Sequence, residues 1–145
     1  RLGSNIAFRY RQWDIAMQAN GAFGHKIFNG TKLTYMNVLS VPNYNVMVGA
    51  PEKNIQAQAL SDYYLERGDY LNIDYVTIGW NIPISSPYIQ SLRVSASVNN
   101  LYTFTKYSGL TPLVNSSVMN GTLGVDDKNI IPPYRTYSMG ISIQF

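Results

Sequence analysis

The final segment of the chain, Arg135 to Phe145, alternates strictly between apolar and polar side chains. Successive side chains of a strand point to opposite sides, so the apolar ones share one face. They are Tyr137, Met139, Ile141, Ile143 and Phe145. Segments of about ten residues with this alternation are typical of strands that cross a membrane in a β-barrel, with the apolar face toward lipid. The segment therefore predicts a transmembrane barrel strand.

The composition agrees with a membrane β-barrel and excludes several other classes. Only 13% of the residues are charged, about half the share usual in soluble domains, while 12 residues are tyrosine. No apolar run reaches the roughly 18 residues that a membrane helix needs. The absence of cysteine excludes disulfides, thiol catalysis and cysteine-based zinc sites. The net charge of +3 comes from scattered basic residues, which argues against nucleic-acid binding.

Period-2 alternation predicts an all-β chain with five antiparallel strands, at residues 4–10, 13–23, 70–82, 91–105 and 135–145. The fourth would extend over roughly 50 Å, longer than strands of globular domains usually are. Short connections alternate with two long ones, as periplasmic turns alternate with extracellular loops in outer-membrane barrels. An odd number of strands does not close a typical bacterial barrel, so we expect a segment of a larger one.

Two details of the strand pattern can be tested against the structure. A two-residue turn would place Tyr10 opposite Trp13 as a cross-strand aromatic pair. In the third strand the apolar phase changes between Tyr75 and Val76, which predicts either a β-bulge or an upper half that leaves the membrane.

Three ordered segments carry a family resemblance. They are YLERGDYLNIDYVTIGWNIP at Tyr64 to Pro83, NLYTFTKYSG at Asn100 to Gly109, and PPYRTYSMGISIQF at Pro132 to Phe145. They resemble the C-terminal barrel of SusC/RagA-type TonB-linked outer-membrane transporters. The resemblance implies a 22-stranded barrel with a plugged lumen, of which this chain would supply the last five strands, with the plug and N-terminal domains absent.

The same resemblance implies a role and partners. The chain would be barrel wall of an importer in the bacterial outer membrane, taking up glycans or peptides. A SusD-like surface lipoprotein would cover the barrel, and a TonB complex would supply energy through the absent N-terminal region. Phe145 and its same-face neighbours would be the signal read by the barrel-assembly machinery, with Phe145 at the periplasmic rim and the long loops outside. No enzymatic activity, cofactor or metal is implied.

The acidic residues and the single histidine of this chain form no catalytic or metal-binding pattern. The acidic residues do not have the spacing of a glycosidase pair; most fall in the long connections. His25 is the only histidine, and Asp126 with Asp127 lacks the acidic ladder of a calcium loop. Arg9 and Arg93 fall on polar strand faces, where they could steer an anionic substrate or pair with a carboxylate of the plug.

Tyrosines in the long connections are the candidate contacts to ligand or partner, namely Tyr44, Tyr63, Tyr64 and Tyr107. An alternative hypothesis is a soluble secreted β-sandwich that binds carbohydrate through its tyrosines. The two hypotheses differ in the environment of the apolar strand faces, which is lipid in a barrel and a protein core in a sandwich.

Overall fold

The computed structural model describes residues 1–41, 43–114, 124–127 and 130–145. Two short 3-10 helices, Val38–Ser40 and Asp62–Tyr64, accompany the longer elements. In chain order these are β1 (Leu2–Tyr10), β2 (Trp13–Ala22), β3 (Lys26–Asn29), α1 (Gly30–Tyr35), α2 (Ala50–Lys53), β4 (Leu65–Arg67), β5 (Tyr70–Ile82), β6 (Ser91–Thr105), β7 (Val125–Asp126) and β8 (Thr136–Gln144).

The chain divides into two compact units. The sheet unit comprises Arg1–Ala22, Tyr70–Phe104 and Pro133–Phe145, and the loop unit comprises Phe23–Asp69 and Thr105–Pro132. The sheet unit is one five-stranded sheet in the order β1-β2-β5-β6-β8. The pairs β1/β2, β2/β5 and β6/β8 are antiparallel. The prediction of an all-β chain is confirmed, and these five strands lie where the alternation predicts them.

The sheet unit has one apolar and one polar face. The register aligns apolar with apolar residues across strands, for example Ile15 with Ile78 and Val94 with Ile141. Many of the large apolar side chains are exposed, among them Phe8, Trp13, Ile15, Ile78, Trp80, Met139, Ile141 and Phe145. In a soluble sandwich such a face would be buried in the core. The arrangement therefore does not match the sandwich hypothesis.

A β-bulge accounts for the phase change in β5. Gln18 of β2 lies opposite Tyr75, whereas the next residue, Ala19, lies opposite Ile73. Asp74 is thus the extra residue, one position before the predicted break. Because a bulge adds one residue to a strand with period 2, the apolar side chains before and after it stay on the same face. The predicted bulge is confirmed, and the alternative of a strand leaving the membrane is not needed.

The turn between β1 and β2 places Tyr10 opposite Trp13, as predicted. Arg11 takes a φ of 52°, the left-handed conformation that hairpin turns require and that glycine or asparagine usually supplies. Trp13 also stacks on Trp80 of β5, with ring centroids 5.4 Å apart and planes inclined by 7°. The short-turn end of the apolar face therefore carries an aromatic cluster.

The loop unit is folded, although its sequence suggested only irregular connections. Its three-stranded sheet has the order β4-β3-β7, with β3 antiparallel to β4 and parallel to β7. The Asn29 side chain accepts a hydrogen bond from the Lys32 backbone N–H and so caps the start of α1. Buried apolar side chains form the core; they are Ile27, Met36, Ala50, Tyr64 and Tyr107.

No helix among the described residues is long and apolar enough to cross a membrane.

Candidate functional site

A salt bridge crosses the polar face of the sheet unit. Arg93 of β6 donates two hydrogen bonds to Asp14 of β2, one from each Nη atom; the Nη2 to Oδ2 distance is 2.7 Å. The two strands are not neighbours, because β5 lies between them. The bridge passes over Gly79 of β5, where an added Cβ would collide with both the guanidinium and the carboxylate. Arg93 therefore has a carboxylate partner within its own sheet.

Sequence reasoning missed this partner, although a signal was present. A glycine inside a strand often marks the close approach of another group, and Gly79 is the only glycine of β5. Arg9 of β1 lies opposite Asp14 in the β1/β2 register. The Asp14 carboxylate that Arg93 holds therefore lies in the register position opposite a second arginine, at the short-turn end of this face.

A second polar network surrounds the bulge. Asp74 Oδ1 accepts hydrogen bonds from Asn20 Nδ2 at 2.5 Å and from Asn72 Nδ2 at 2.6 Å. Asn72 Oδ1 in turn accepts one from Thr103 Oγ1 at 2.7 Å. The network thus links β2, β5 and β6. Asn72 is thus bonded through both its Nδ2 and its Oδ1, and Asn20 is bonded through its Nδ2. Together the two amides fix the position of the Asp74 side chain.

In the loop unit, Glu66 of β4 joins the two long connections. Its Oε1 accepts hydrogen bonds from Lys32 Nζ at 3.0 Å and Ser108 Oγ at 2.8 Å, and its Oε2 accepts one from the Ser108 N–H at 3.0 Å. Burial raises the pKa of the Glu66 carboxyl, but the bonds from Ser108 and Lys32 outweigh burial. The pKa of Glu66 therefore lies below its ordinary value, and the group is ionised at neutral pH.

A buried pair lies beside β7. Tyr107 Oη donates to Asp126 Oδ2 at 2.5 Å, and Thr31 Oγ1 donates to Asp126 Oδ1 at 3.3 Å. Burial, together with the hydrogen bond to Asp126 and its negative charge, raises the pKa of the Tyr107 phenol well above its ordinary value. The Asp126 carboxylate is therefore occupied by protein donors. Among the described residues, no group of three or more acidic or histidine side chains could hold a metal ion.

The four tyrosines proposed to contact ligand or partner differ in their environment. Tyr64 and Tyr107 are buried, with 3% and 6% of their surface exposed. In this conformation both side chains pack in the core of the loop unit. Tyr44 and Tyr63 are 46% and 42% exposed. The Tyr63 ring lies 4.5 Å from Lys32 Nζ in a cation–π contact and packs edge-on against Tyr64. Of these four tyrosines, Tyr44 and Tyr63 are the two with a substantial exposed surface.

The apolar residues proposed as the lipid-facing terminal strand lie along one face of β8 and its end. Four of them pair with apolar or small residues of β6, as Ile143 does with Leu92. All five are exposed; they are Tyr137, Met139, Ile141, Ile143 and Phe145. The edge strands are β1 and β8, and neither has a further strand partner among the described residues.

Comparison with known proteins identifies relatives along nearly the whole chain. No family model matches. The TonB-dependent receptor SusC of Bacteroides thetaiotaomicron is 32% identical over 156 residues, and the match covers 99% of this chain and 15% of SusC. The TonB-dependent receptor P3 of Formosa agariphila is 26% identical over 163 residues, covering 99% of this chain and 16% of that protein. The chain thus spans about one sixth of the length of these relatives.

Solved structures agree on the fold. The RagAB peptide importer in its open-open state matches with a TM-score of 0.71 at 18% identity, over 99% of this chain and 17% of the matched chain. A further RagAB peptide transporter structure gives a TM-score of 0.68 at 19% identity, over 92% of this chain and 16% of the matched chain. These relatives are receptors and transporters, which agrees with the expectation that the chain is not an enzyme. The chain therefore has the sequence and fold of a segment of a SusC-type TonB-dependent transporter.

Proposed function

We propose that this chain forms part of the barrel wall of an outer-membrane importer with 22 strands. The observation that carries the proposal is the two-faced sheet unit, in which exposed apolar side chains cover one face and polar side chains the other. A transmembrane barrel needs this division, because one face meets lipid and the other a polar lumen. The open outer edges of β1 and β8 support the proposal, since a closed barrel would pair each of them with a further strand.

The importer would take up glycans or peptides, drawing energy from a TonB complex through its N-terminal region and working with a SusD-like surface lipoprotein. The loop unit supports the lipoprotein contact, because it is a folded surface and carries exposed apolar side chains. These include Leu39, Val41, Tyr44, Leu60 and Tyr63. Exposed apolar side chains that form one contiguous patch mark interaction surfaces.

We further propose that the apolar face of β8 lies against lipid, and that Tyr137, Met139, Ile141, Ile143 and Phe145 form the signal read by the barrel-assembly machinery. The alternation of the strand and the exposure of these five side chains support both roles. The protein would accordingly be a multi-pass barrel of the bacterial outer membrane.

Paired cysteine variants of the full-length protein in whole cells would test the orientation of the sheet. The chain has no cysteine of its own, so Met139→Cys on the apolar face can be compared with Ser138→Cys, its neighbour on the polar face. A water-soluble maleimide should label the polar position much faster than the lipid-facing one. Equal labelling of both would contradict the barrel proposal.

Deletion of the gene for the full-length protein would test import itself. Growth on one class of glycan or peptide as the sole carbon source should be lost and should return with the wild-type gene. Unchanged growth on every glycan and peptide tried, with the protein present in the outer membrane of the parent strain, would contradict the importer proposal.

A further inference from the structure

Asp74 is the only acidic residue of the sheet unit that lacks a cationic partner among the described residues. The unit contains two acids, Asp14 and Asp74. Asp14 is paired with Arg93 and lies opposite Arg9. Asp74 makes no salt bridge to any described residue, and its hydrogen bonds come only from the neutral amides of Asn20 and Asn72. The sheet thus supplies no positively charged partner to this carboxylate.

The geometry leaves one Asp74 oxygen available. Both amides donate to Oδ1, whereas Oδ2 accepts a hydrogen bond from no described residue. Asn72 is only 3% exposed and accepts a hydrogen bond from Thr103. The amide that holds the Asp74 carboxylate is therefore itself fixed in place. A group that is positioned by supporting hydrogen bonds before its ligand arrives binds with less loss of conformational entropy.

The bulge explains how Asp74 comes to lie there. Aspartate is disfavoured in strands, and the extra residue is accommodated at the cost of interrupting the ladder between β2 and β5. Bulges often redirect a side chain beside a functional site. An ionisable group in a membrane-spanning element is costly unless it faces a polar cavity and finds a partner. Both facts indicate that Asp74 has a role beyond holding two amides.

The surroundings favour a cation as that partner. Gln18 and Tyr75, which lie opposite each other on the polar face beside the bulge, are neutral. Arg93 is bonded to Asp14, and Arg9 lies opposite Asp14, four to five positions along β2 from the bulge. Asp74 is thus the one acidic side chain of the sheet unit to which no described cation is bonded. Tyr75 adds an aromatic ring of the kind that attracts ammonium and guanidinium groups.

We propose that Asp74 binds the positively charged group, an ammonium or a guanidinium, of a solute that passes along the polar face. This inference rests on the proposed function, because the polar face would meet a solute only where it lines the lumen of a barrel. The Asp74 Oδ2 atom would accept the hydrogen bond of the cation, while Oδ1 stays with Asn20 and Asn72. Asp74 would then select for cationic solutes or for the cationic part of a larger one.

The test measures the local attraction for cations in the full-length transporter, in a background without other cysteines. Gln18→Cys, beside Asp74, is the reporter, and Ser142→Cys, opposite Arg93 in the β6/β8 register, is the control. Each is labelled with a trimethylammonium and with a sulfonate methanethiosulfonate reagent, and the ratio of the two rates is measured. Asp74→Asn, which keeps an oxygen for the two amides, is then introduced with each reporter.

We expect Asp74→Asn to lower the cation-to-anion rate ratio at the Gln18→Cys position about tenfold and to leave the ratio at the Ser142→Cys position unchanged. Spermidine, used as the cationic probe, should slow labelling by the cationic reagent at the Gln18→Cys position only while Asp74 is present. An unchanged ratio there would overturn the inference, because it would mean that another part of the transporter already neutralises the carboxylate.

The remaining outcomes separate this inference from the proposed function. If only the Gln18→Cys position fails to react with either reagent, solutes do not reach Asp74 and the inference fails alone. If the Ser142→Cys position also fails to react, the polar face does not meet water, and the proposed function fails with it.

Discussion

Arg93 and Asp14 are joined across an intervening strand, and the missing side chain of Gly79 makes this possible. Their strands, β6 and β2, both flank β5, so the bridge ties three strands of the sheet together on the polar face. The two side chains are 34% and 19% exposed. A bidentate pair of arginine and carboxylate in this partly buried position contributes more than an ordinary surface salt bridge.

Replacing Gly79 with alanine should break this bridge. The new Cβ would occupy the space of the guanidinium and the carboxylate, and we expect a loss of about 1–2 kcal/mol in the stability of the barrel. The measurement is the heat-induced change in gel mobility of the full-length transporter. Gly3→Ala is the matched control, because a Cβ at Gly3 has no neighbour within 4 Å. Equal effects of the two substitutions would show that the bridge is not the cause.

Coupling between Gly79 and Arg93 provides an independent check. If the alanine acts by displacing the guanidinium, Gly79→Ala should cost much less in an Arg93→Met background than in the wild type. Additive effects of the two substitutions would mean instead that the alanine strains the strand itself.

Glu66→Gln should loosen the contact between the two long connections of the loop unit. The carboxylate accepts hydrogen bonds from Lys32 and from both the N–H and the hydroxyl of Ser108, and its loss should cost about 1–2 kcal/mol of local stability. Hydrogen exchange of the Ser108 amide should accelerate about tenfold. Glu52→Gln is the control, since Glu52 is exposed on α2.

The pH dependence of this contact follows from the lowered pKa of Glu66. The stabilisation is present above the ordinary glutamate pKa of about 4.3 and is lost as the pH falls through the lower value of the folded state. The difference in exchange between wild type and Glu66→Gln should therefore shrink as the solution becomes more acidic than about pH 4. A difference that grew on acidification would contradict this assignment.

The parts of the fold that could be predicted from sequence depend on local pattern. Period-2 alternation located the strands of the sheet unit, and the phase change near Tyr75 located the bulge to within one residue. The loop unit could not be predicted in this way. Its contacts join residues far apart in sequence, such as Glu66 with Ser108, and no local periodicity records such a pair.

The candidate site shows the same limit. Tyr64 and Tyr107 belong to long polar connections, which suggested exposure, yet the fold of those connections buries them. Arg93 was correctly assigned to the polar face by alternation, but its partner Asp14 lies 79 positions away. Alternation gives the face of a side chain and carries no information about which distant residue will meet it there.

Raising the pH should loosen the loop unit through Tyr107. Because its pKa is raised in the folded state, the stabilisation is complete below the ordinary tyrosine pKa of about 10 and is lost progressively above it. Protease resistance of the two long connections in the full-length transporter should therefore fall progressively as the pH rises above about 10. Tyr107→Phe should remove this alkaline sensitivity and should lower resistance at neutral pH, because Asp126 loses its closest donor.

Tyr88→Phe serves as the control for this prediction, since Tyr88 is an exposed tyrosine between β5 and β6. That variant should keep the alkaline transition of the wild type. Retention of the transition in Tyr107→Phe would assign it to another group.

Adjacent positions of β8 should respond in opposite ways to a new charge. Ile141 lies on the apolar face, where an arginine would have to enter lipid at a cost of about 2–4 kcal/mol near the bilayer centre. Ser142 follows it on the polar face, opposite Arg93 of β6, where an arginine can remain hydrated. Ile141→Arg should therefore lower the amount of folded full-length transporter in the outer membrane, whereas Ser142→Arg should leave most of it in place. Quantitative immunoblotting of outer-membrane fractions checks both variants, and a greater loss for Ser142→Arg would reverse the assignment of the two faces.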